Sequence, residues 1–365
     1  MKYYKLNDLC TDIVDCPHTT PDWKNEGIRV VRNFNLKDGN LDFTDGYFVD
    51  EATYLERTKR AKPEEGDIII SREAPMGMVG IVPKGLKCCL GQRLVLLKVN
   101  KEKCDPYYLL NTLMSDFVQT QFKRADATGS IVSNLCIPDL KEIIIPVIES
   151  GQEDVARLLE IINKKQLINN AINDNLSKMA YDIYMHNFLS QKPNGRIKDI
   201  LLEADKSPIQ VGTAKTSNGK YPFFTSGATI LKWDKPFVNG RNCYLNTGGN
   251  ADVKFYVGEA AYSTDTWCIS AKSKMSDYLY LMLLSLKPEL DQKFFQGTGL
   301  KHLQKPLLKD RPIYIPEKSE LEVFNGNVRP MFDSISENIR ENQQLISLSD
   351  WLLPMLMNGQ ATISD

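Results

Sequence analysis

Two groups of residues have the types that catalytic chemistry needs, and each lacks part of the site it would form. Amino-methyltransferases hold their target base in an Asn/Asp-Pro-Pro-Tyr/Phe loop. Asp105-Pro106-Tyr107-Tyr108 lacks the second proline of that loop and is predicted to begin a helix. Asp139 and Glu149 suit a nuclease, but no Glu-x-Lys string completes the signature. There is no Gly-x-x-x-x-Gly-Lys-Ser/Thr loop for ATP. With only 3 histidines, we expect no catalytic residues in this chain.

The cysteines do not form a metal-binding pattern. The 8 cysteines are scattered, with no Cys-x-x-Cys pair, as is typical of reduced thiols that pack as small core residues. Cys10, Cys16 and His18 lie close in sequence, but a structural zinc site needs a fourth ligand. We therefore expect no bound metal ion. No apolar run approaches the ~18 residues that span a bilayer, and Met1-Lys2-Tyr3-Tyr4-Lys5 lacks the apolar segment of a signal peptide. A cytoplasmic location without membrane contact is the expectation.

Charge is unevenly distributed along the chain. The net charge is only −1, yet residues 191–317 carry 18 Lys and Arg against 12 Asp and Glu. The distribution of charge, rather than its total, marks a surface that faces phosphates. This excess gives modest support to nucleic-acid binding.

An internal repeat organises the whole chain. Ala127-Thr128-Gly129-Ser130 leads to Ile143 and Pro146, and Gly297-Thr298-Gly299-Leu300 leads to Ile313 and Pro316, with equivalent residues 170 positions apart. A looser echo relates Asp105–Leu110 to Ser276–Leu281, each of which begins an apolar, helix-like stretch. Such a period predicts two copies of one structural unit.

Each copy ends in a long helix with apolar residues at alternating steps of three and four, the period of coiled coils. In the first helix the predicted seam, which we interpret as core, contains Val155, Leu158, Ile162, Lys165, Asn169, Ile172, Leu176, Met179 and Ile183. In the second it contains Asn325, Val328, Phe332, Ile335, Ile339, Asn342, Ile346, Ser349 and Leu353. Most positions that are polar in one seam are apolar in the other, which predicts that the two helices pair. A helix of about 37 residues is ~55 Å long, enough to hold two domains apart.

The segments that precede the helices are rich in strands. Residues 67–71, 77–82 and 93–99 of the first copy, and 221–225, 242–245 and 253–257 of the second, form apolar runs bounded by glycine and proline. The fold class is therefore predicted as mixed α/β, with two sheet-rich domains separated by two long helices. The predicted boundaries are 1–150 for the first domain, 151–190 for the central helix, 191–317 for the second domain, 318–359 for the C-terminal helix and 360–365 for a tail.

This organisation, with its local motifs, resembles the specificity subunit of type I restriction-modification systems. Asp15-Cys16-Pro17-His18-Thr19-Thr20-Pro21 is similar to the family's Asp-Gly-x-His-x-x-Pro opening, with Cys16 in place of glycine. It is followed by residues 27–32 (Gly-Ile-Arg-Val-Val-Arg) and by Asn35. Further resemblance lies in residues 66–72 and 91–93, in the Thr-Gly-Ser element, and in the closing residues 352–359. The second copy keeps only Thr-Gly and lacks the His-Thr-Thr-Pro opening.

The resemblance implies a function and a set of partners. It implies two target-recognition domains that read an asymmetric, two-part sequence in double-stranded DNA, and two helices that pair as an antiparallel coiled coil. The paired helices would dock modification (methyltransferase) subunits, two of them expected, and ATP-dependent restriction subunits. S-adenosylmethionine, ATP and Mg would be bound by those partners, and no cofactor by this chain.

Candidate DNA contacts follow from side-chain chemistry, because phosphates favour Lys, Arg and loop N–H groups while base edges favour Arg, Asn and Gln. In the first domain we predict Lys59, Arg60, Lys62, Arg72, Lys123, Arg124 and Ser130. In the second we predict Lys215, Asn218, Lys220, Tyr221, Asn246, Asn250, Lys301 and His302. Thr128-Gly129 and Thr298-Gly299 are either plain turns or contact loops, and His18 is expected to hold its own loop.

Three other functions remain open from the sequence. The chain would be a single-chain DNA methyltransferase or nuclease with attached recognition domains if it bound a cofactor or methylated DNA alone. It would be a coiled-coil adaptor if it bound no DNA. It would belong to a related defence system if its partners were of another kind.

Overall fold

The computed structural model describes residues 1–44, 46–73, 75–126, 134–149, 151–217, 219–297 and 301–357. The chain divides into two compact units, one made of Met1–Gln166 with Gln344–Asp365 and the other of Leu167–Gln343. The Thr128-Gly129, Ser130, Asn218 and Thr298-Gly299 predictions lie outside the described residues. The predicted domain boundaries stay a prediction.

The first unit begins with strands and short helices that form its globular domain. Its strands are β1 Lys2–Lys5, β2 Cys10–Asp15, β3 Ile28–Val31, β4 Leu36–Lys37, β5 Asn40–Leu41, β6 Phe48–Val49, β7 Ile68–Ser71, β8 Val79–Ile81, β9 Cys88–Leu90, β10 Leu94–Val99 and β11 Ile144–Val147. Its helices are α1 Leu6–Leu9, α2 Glu51–Arg57, α3 Pro106–Met114, α4 Asp116–Asp126 and α5 Ile137–Glu142. The long helix α6 Gln152–Phe188 follows.

The second unit has a similar succession of elements. Its strands are β12 Gly195–Arg196, β13 Leu201–Glu203, β14 Tyr221–Phe224, β15 Leu231–Trp233, β16 Arg241–Asn246, β17 Val253–Val257, β18 Ala261–Tyr262, β19 Thr266–Ala271, β20 Phe295–Gln296, β21 His302–Leu303 and β22 Pro312–Ile313. Its short helices are α7 Ile197–Ile200, α8 Val211–Ala214, α9 Ser276–Ser285, α10 Lys287–Glu289 and α11 Lys305–Lys309. The chain then enters the long helix α12 Lys318–Met357.

The two domains share one sheet topology. A four-stranded sheet has the order β2-β10-β7-β8 in the first domain and β13-β19-β16-β17 in the second. A three-stranded sheet has the order β6-β3-β9 in the first and β15-β14-β18 in the second, and in both the last two strands are parallel. The predicted repeat is thus present in the fold, and the strands predicted from the sequence are confirmed.

The core of each domain lies between the four-stranded sheet and one helix. In the first domain Ile70 and Val95 pack against Leu109, all three fully buried. In the second domain Cys243 and Ile269 pack against Leu279 in the same way. As predicted, Asp105 precedes a helix: its side chain accepts hydrogen bonds from the N–H groups of Tyr107 (2.8 Å) and Tyr108 (3.0 Å) at the start of α3.

The long helices pair antiparallel within each unit. In the first unit Val155 and Leu159 of α6 share a core with Leu356 of α12. In the second, Ala180 and Tyr184 of α6 share a core with Phe332 of α12. The predicted coiled coil is therefore present.

The predicted seam of α6 is partly wrong. Val155, Ile162 and Asn169 are buried as predicted, but Ile172 and Met179 are 42% and 52% exposed, and Lys165 is also exposed. Leu158 is only half-buried, because Leu159 takes its place in the core. In place of Lys165, Ile172 and Met179, the seam contains the residue that follows each of them: Gln166, Asn173 and Ala180. In α12 the predicted residues from Asn325 to Asn342 are buried or half-buried, whereas Ile346 is 45% exposed.

Amide side chains explain the shift of register. Asn169 donates to Asn342 Oδ1 at 2.9 Å and also to a carboxylate oxygen of Glu341. Asn338 donates to Asn173 Oδ1 at 2.8 Å. These buried amides select each other as partners and so fix the register of the two helices.

Candidate nucleic-acid interface

The ends of β3, β7 and β9 and the start of β10 meet at one rim of the first domain. The N–H of Gly91, after β9, donates to the carbonyl of Val31 at 2.7 Å, and the N–H of Arg72, after β7, donates to the carbonyl of Arg93 at 2.9 Å. The N–H of Leu135 donates to the carbonyl of Arg72 at 3.0 Å. These bonds place the residues that follow β3, β7 and β9 side by side.

The same backbone bonds recur in the second domain. Ser263 N–H donates to Phe224 at 2.9 Å, Thr247 N–H to Asp265 at 3.1 Å, and Leu303 N–H to Thr247 at 3.0 Å. Because each bond has its counterpart, Arg72 corresponds to Thr247 and Arg93 to Asp265. Arg32 and Thr225, which directly follow β3 and β14, correspond as well. We call these two places the first rim and the second rim.

Arg72 is tied into the first rim by its own domain. Its Nη1 lies 3.0 and 3.1 Å from the two carboxylate oxygens of Asp15, and its Nε donates to the carbonyl of Leu135 at 3.0 Å. Its side chain is only 14% exposed. Arg72 thus joins β2, β7 and the segment before α5 in the free chain, and its predicted DNA contact stays untested.

The predicted opening motif contributes structure to the same rim. His18 lies 3.2 Å from Asp15, which fits its expected role of holding the loop, and its carbonyl accepts a hydrogen bond from Gln92. Cys16 is buried, and its sulfur accepts from the N–H of Leu94 at 3.3 Å. Within the described ranges, no group of three or more His, Cys, Asp and Glu side chains is placed to hold a metal ion.

Lys59, Arg60 and Lys62 are exposed just after α2. Lys59 and Arg60 border a cavity of about 230 Å³ together with Arg57. Arg57 is buried and donates to the carbonyls of Leu90 and Thr19, both at 3.0 Å. Arg57 was not predicted from the sequence, because its partners are more than 30 residues away. The structure therefore places the exposed Lys59 and Arg60 on a loop that the buried Arg57 anchors.

Lys123 and Arg124 are exposed in the last turn of α4, directly before the undescribed residues 127–133. Arg124 shares a depression of about 280 Å³ with Asp139 and Glu142. Two carboxylates beside Arg124 weaken the attraction of this depression for a phosphate. Of this pair, Lys123 is thus the better candidate for a DNA contact.

The predicted contacts of the second domain fall into two groups. Lys215 and Lys220 are exposed at the start of the three-stranded sheet, and Lys220 Nζ lies 4.7 Å from the ring centre of Tyr221. Asn250 is exposed, as is His302 on β21. Lys301 is also exposed and lies 3.2 Å from Asp291, whose pKa it lowers through their hydrogen bond.

Asn246 lies inside the second domain. It is 5% exposed, and its amide donates to the carbonyls of Ser226 at 2.9 Å and Asn250 at 3.1 Å. Lys254 Nζ lies 3.4 Å from its Oδ1. With its amide committed to these partners, Asn246 shapes the second rim and presents no free edge to a base.

One group of exposed side chains at the first rim was missed by the sequence predictions. Trp23, Phe34 and Tyr47 surround the guanidinium of Arg32, and they line a cavity of about 570 Å³. We call these four residues the Arg32 cluster. Trp23 and Tyr47 come from separate loops and Phe34 from a short 3₁₀ helix, Asn33–Asn35, without periodic spacing, so no pattern in the sequence joins them.

The comparisons with known proteins give the family. The sequence profile of the type I restriction modification DNA specificity domain matches residues 1–178 and again residues 192–329. The chain belongs to this family. No helix among the described residues is long and apolar enough to cross a membrane.

The chain is similar to named specificity subunits along most of its length. The chain is 22% identical to the type I restriction enzyme MjaIX specificity subunit of Methanocaldococcus jannaschii over 82% of this chain and 79% of that protein. It is 23% identical to the putative type I restriction enzyme MjaX specificity subunit of the same organism, over 92% and 88%. The type I restriction-modification S subunit from M. genitalium has the same fold, with a TM-score of 0.59, 15% identity, and 96% and 94% coverage.

Proposed function

We propose that this chain gives a type I restriction-modification complex its DNA specificity by recognising an asymmetric, two-part target, one half with each domain. The complex would methylate adenine through modification subunits, two of them, that use S-adenosylmethionine. Restriction subunits that use ATP and Mg would complete it. This chain would recognise DNA and hold the partners together, without catalytic residues of its own.

The observation that carries the proposal is one scaffold repeated with different side chains at its rim. Equivalent backbone hydrogen bonds place Arg72 and Arg93 at the first rim and Thr247 and Asp265 at the second. Guanidinium groups and hydroxyl or carboxylate groups pair with different base edges. Two domains of one fold would therefore bind two unlike half-sites.

The surface of α6 supports the docking role. Ile168, Ile172 and Met179 are 55%, 42% and 52% exposed, and their spacing puts them on one face of the helix. That face lies beside the seam, so pairing with α12 leaves it uncovered. Exposed apolar side chains in a row are typical of a surface that binds another protein. We assign this stripe to a modification subunit.

The recognition role is tested by methylome sequencing of a host that expresses this chain with its modification subunit. We expect methyladenine in one bipartite motif. Replacing residues 1–150 with another recognition domain should change one half of the motif and leave the other half intact. A host that expresses the modification subunit alone is the control and should lack the motif.

Two results would contradict the recognition role. If the purified chain alone methylated or cut DNA, the enzyme hypothesis would replace it. If the chain bound no DNA at low salt, where phosphate contacts are strongest, the adaptor hypothesis would replace it.

The docking stripe is tested with Ile172→Glu. Burying a carboxylate in an apolar interface is costly, so the variant should lose stable binding to the modification subunit at micromolar concentrations. Light scattering during size-exclusion chromatography measures this, and the wild-type mass also counts the modification subunits. Ala171→Glu is the matched control, since it adds the same charge about 100° around the helix. Equal binding by both variants would show that the stripe is not the docking surface.

A further inference from the structure

Arg32 is enclosed by aromatic rings at the surface of the first domain. Its guanidinium carbon lies 4.5 Å from the ring centre of Tyr47, 5.1 Å from Phe34 and 5.6 Å from Trp23. The rings also support each other, with 4.7 Å between the centres of Trp23 and Tyr47 and 5.8 Å between Phe34 and Tyr47. A cation this close to three ring faces is held in position by cation–π attraction.

Burial does not explain this arrangement. Trp23, Phe34 and Tyr47 are 38%, 42% and 37% exposed, and the fold has a separate core beneath them. No carboxylate among the described residues lies within ion-pair distance of Arg32, whereas Arg72 and Arg93 are each paired with one. The rings therefore orient a guanidinium that has no carboxylate partner among the described residues.

The surroundings of Arg32 are concave and polar. The Arg32 cluster lines its cavity with Asn33, Gln92 and Arg93. Arg93 has a positive φ of 66°, a conformation rarely adopted by residues other than glycine. The bond from Arg72 N–H to its carbonyl holds it there. Several polar side chains thus converge on one exposed cavity beside an oriented guanidinium.

We infer that Arg32 contacts a guanine base in the half-site recognised by the first domain. This inference rests on the proposed function. Guanine presents the O6 and N7 acceptors side by side in the major groove, and the guanidinium fork matches them with two parallel hydrogen bonds. Such a pair needs a fixed guanidinium plane. A phosphate accepts hydrogen bonds from many directions, so an arginine that contacts a phosphate would gain little from three rings that fix its guanidinium.

The first experiment measures binding of duplexes by the complex of the full chain with its modification subunit. The cognate duplex is compared with duplexes in which each guanine of the first half-site is replaced, one at a time, by 7-deazaguanine, which lacks N7. Arg32→Lys keeps the charge and loses the fork. We expect it to weaken binding of the cognate duplex on the order of 10- to 100-fold. On the duplex modified at the contacted guanine, wild type and variant should bind with similar affinity.

Arg29→Lys is the matched control. Arg29 lies on β3, the strand that directly precedes Arg32, and also contacts rings, at 4.9 Å from Phe43 and 5.4 Å from Phe48, but it does not line the cavity. It should leave the preference for every guanine unchanged. Thermal unfolding of both variants shows whether they fold as the wild type does.

Methylome sequencing gives the second readout. With Arg32→Lys the methylated motif should relax at one guanine of the first half and stay unchanged in the second half. Three results would overturn the inference. The first is a first half-site without guanine, and the second is an unchanged motif. The third is that Arg32→Gln loses affinity equally for all sequences and shows a shallower salt dependence, which is typical of a phosphate contact. If the wild-type complex produced no bipartite motif, the proposed function itself would fail.

Discussion

The first and second rims share their backbone hydrogen bonds but differ in side-chain chemistry. The positions occupied by Arg32, Arg72 and Arg93 in the first domain hold Thr225, Thr247 and Asp265 in the second. The backbone hydrogen bonds between these positions are alike in both domains. Because main-chain groups make those bonds, the side chains at the rim are free to differ without loss of the fold. This separation lets one scaffold carry two different sets of side chains.

The rims also show why segment charge is a poor guide to a binding surface. Residues 191–317 have an excess of Lys and Arg, with 18 against 12 acidic residues, yet the arginines at the equivalent rim positions lie in the first domain. Many cations of the second domain are paired elsewhere, such as Lys301 with Asp291 and Arg311 with Glu289. The position of a charged residue on the scaffold therefore indicates a binding surface better than the total charge of the segment does.

The largest expected difference in stability between the domains comes from the ion pairs that anchor their four-stranded sheets. At the start of β16, Arg241 Nε and Nη2 lie 2.8 and 2.7 Å from the carboxylate of Asp277, which is fully buried, and Nη1 reaches Asp333 on α12. Burial raises the pKa of Asp277, and Arg241 opposes this rise. In the first domain Lys98 pairs with Asp67 at 2.7 Å, with 19% of the lysine side chain exposed.

Arg241→Met should therefore destabilise the second unit far more than Lys98→Met destabilises the first. Removing Arg241 leaves a buried charge without its partner, which costs about 3–5 kcal/mol. Asp67 keeps a hydrogen bond from the N–H of Glu64, so losing Lys98 costs about 1–2 kcal/mol. Hydrogen exchange in urea, followed by mass spectrometry of peptides from each domain, measures the two effects separately. Equal losses would mean that the two ion pairs anchor their sheets alike.

A smaller difference is expected where β7 and β16 end. Ser71 and Asn246 occupy equivalent positions, and both are buried. The Ser71 hydroxyl donates to the carbonyl of Pro75 at 2.7 Å and accepts from the N–H of Met78 at 2.9 Å, while the Asn246 amide donates to two carbonyls and its Oδ1 lies 3.4 Å from Lys254 Nζ. Asn246→Ala should cost about 2–3 kcal/mol and Ser71→Ala about 1 kcal/mol. Chemical denaturation of each variant checks this order, and a larger loss for Ser71→Ala would contradict it.

The sequence was sufficient to predict the scaffold because the scaffold depends on repeated local patterns. Apolar runs between glycine and proline predict the strands. Asp105-Pro106, a helix cap followed by a proline, predicts the start of α3. The seam of α6 was only half predictable. Ile172 and Met179 fit a heptad as well as Asn173 and Ala180 do, and the amide pairs that decide between them join residues more than 160 positions apart.

The rims were harder to predict for the same reason. Arg72 was singled out by its charge, although Asp15, 57 residues away, occupies its guanidinium. Arg32 stands out in the sequence only as part of a family motif, because the three rings around it come together only in the finished fold. Contacts between loops depend on the finished fold, so composition and spacing do not indicate them.

The smallest expected effect concerns a hairpin of the first domain, β4–β5, which has no counterpart among the described elements between β14 and β15. Asp42, which follows it, accepts hydrogen bonds from the side chains of Lys37 and Thr44 and from the Thr44 N–H. These bonds lower the pKa of Asp42 to about 2, the one with Lys37 having the largest effect. A carboxylate whose pKa is lower in the folded than in the unfolded chain stabilises the fold at neutral pH.

Asp42→Asn should therefore destabilise the first unit at pH 7 by a few tenths of a kcal/mol, the usual size for a partly exposed ion pair. The stabilising effect is complete above the ordinary carboxyl pKa of about 4 and is lost as the pH falls to about 2, the pKa of Asp42 in the folded chain. Urea unfolding of wild type and variant between pH 7 and pH 2 measures the difference. It should be constant from pH 7 to pH 5 and shrink below pH 4. A difference that stayed constant down to pH 2 would show that the Asp42 side chain acts through its shape rather than its charge.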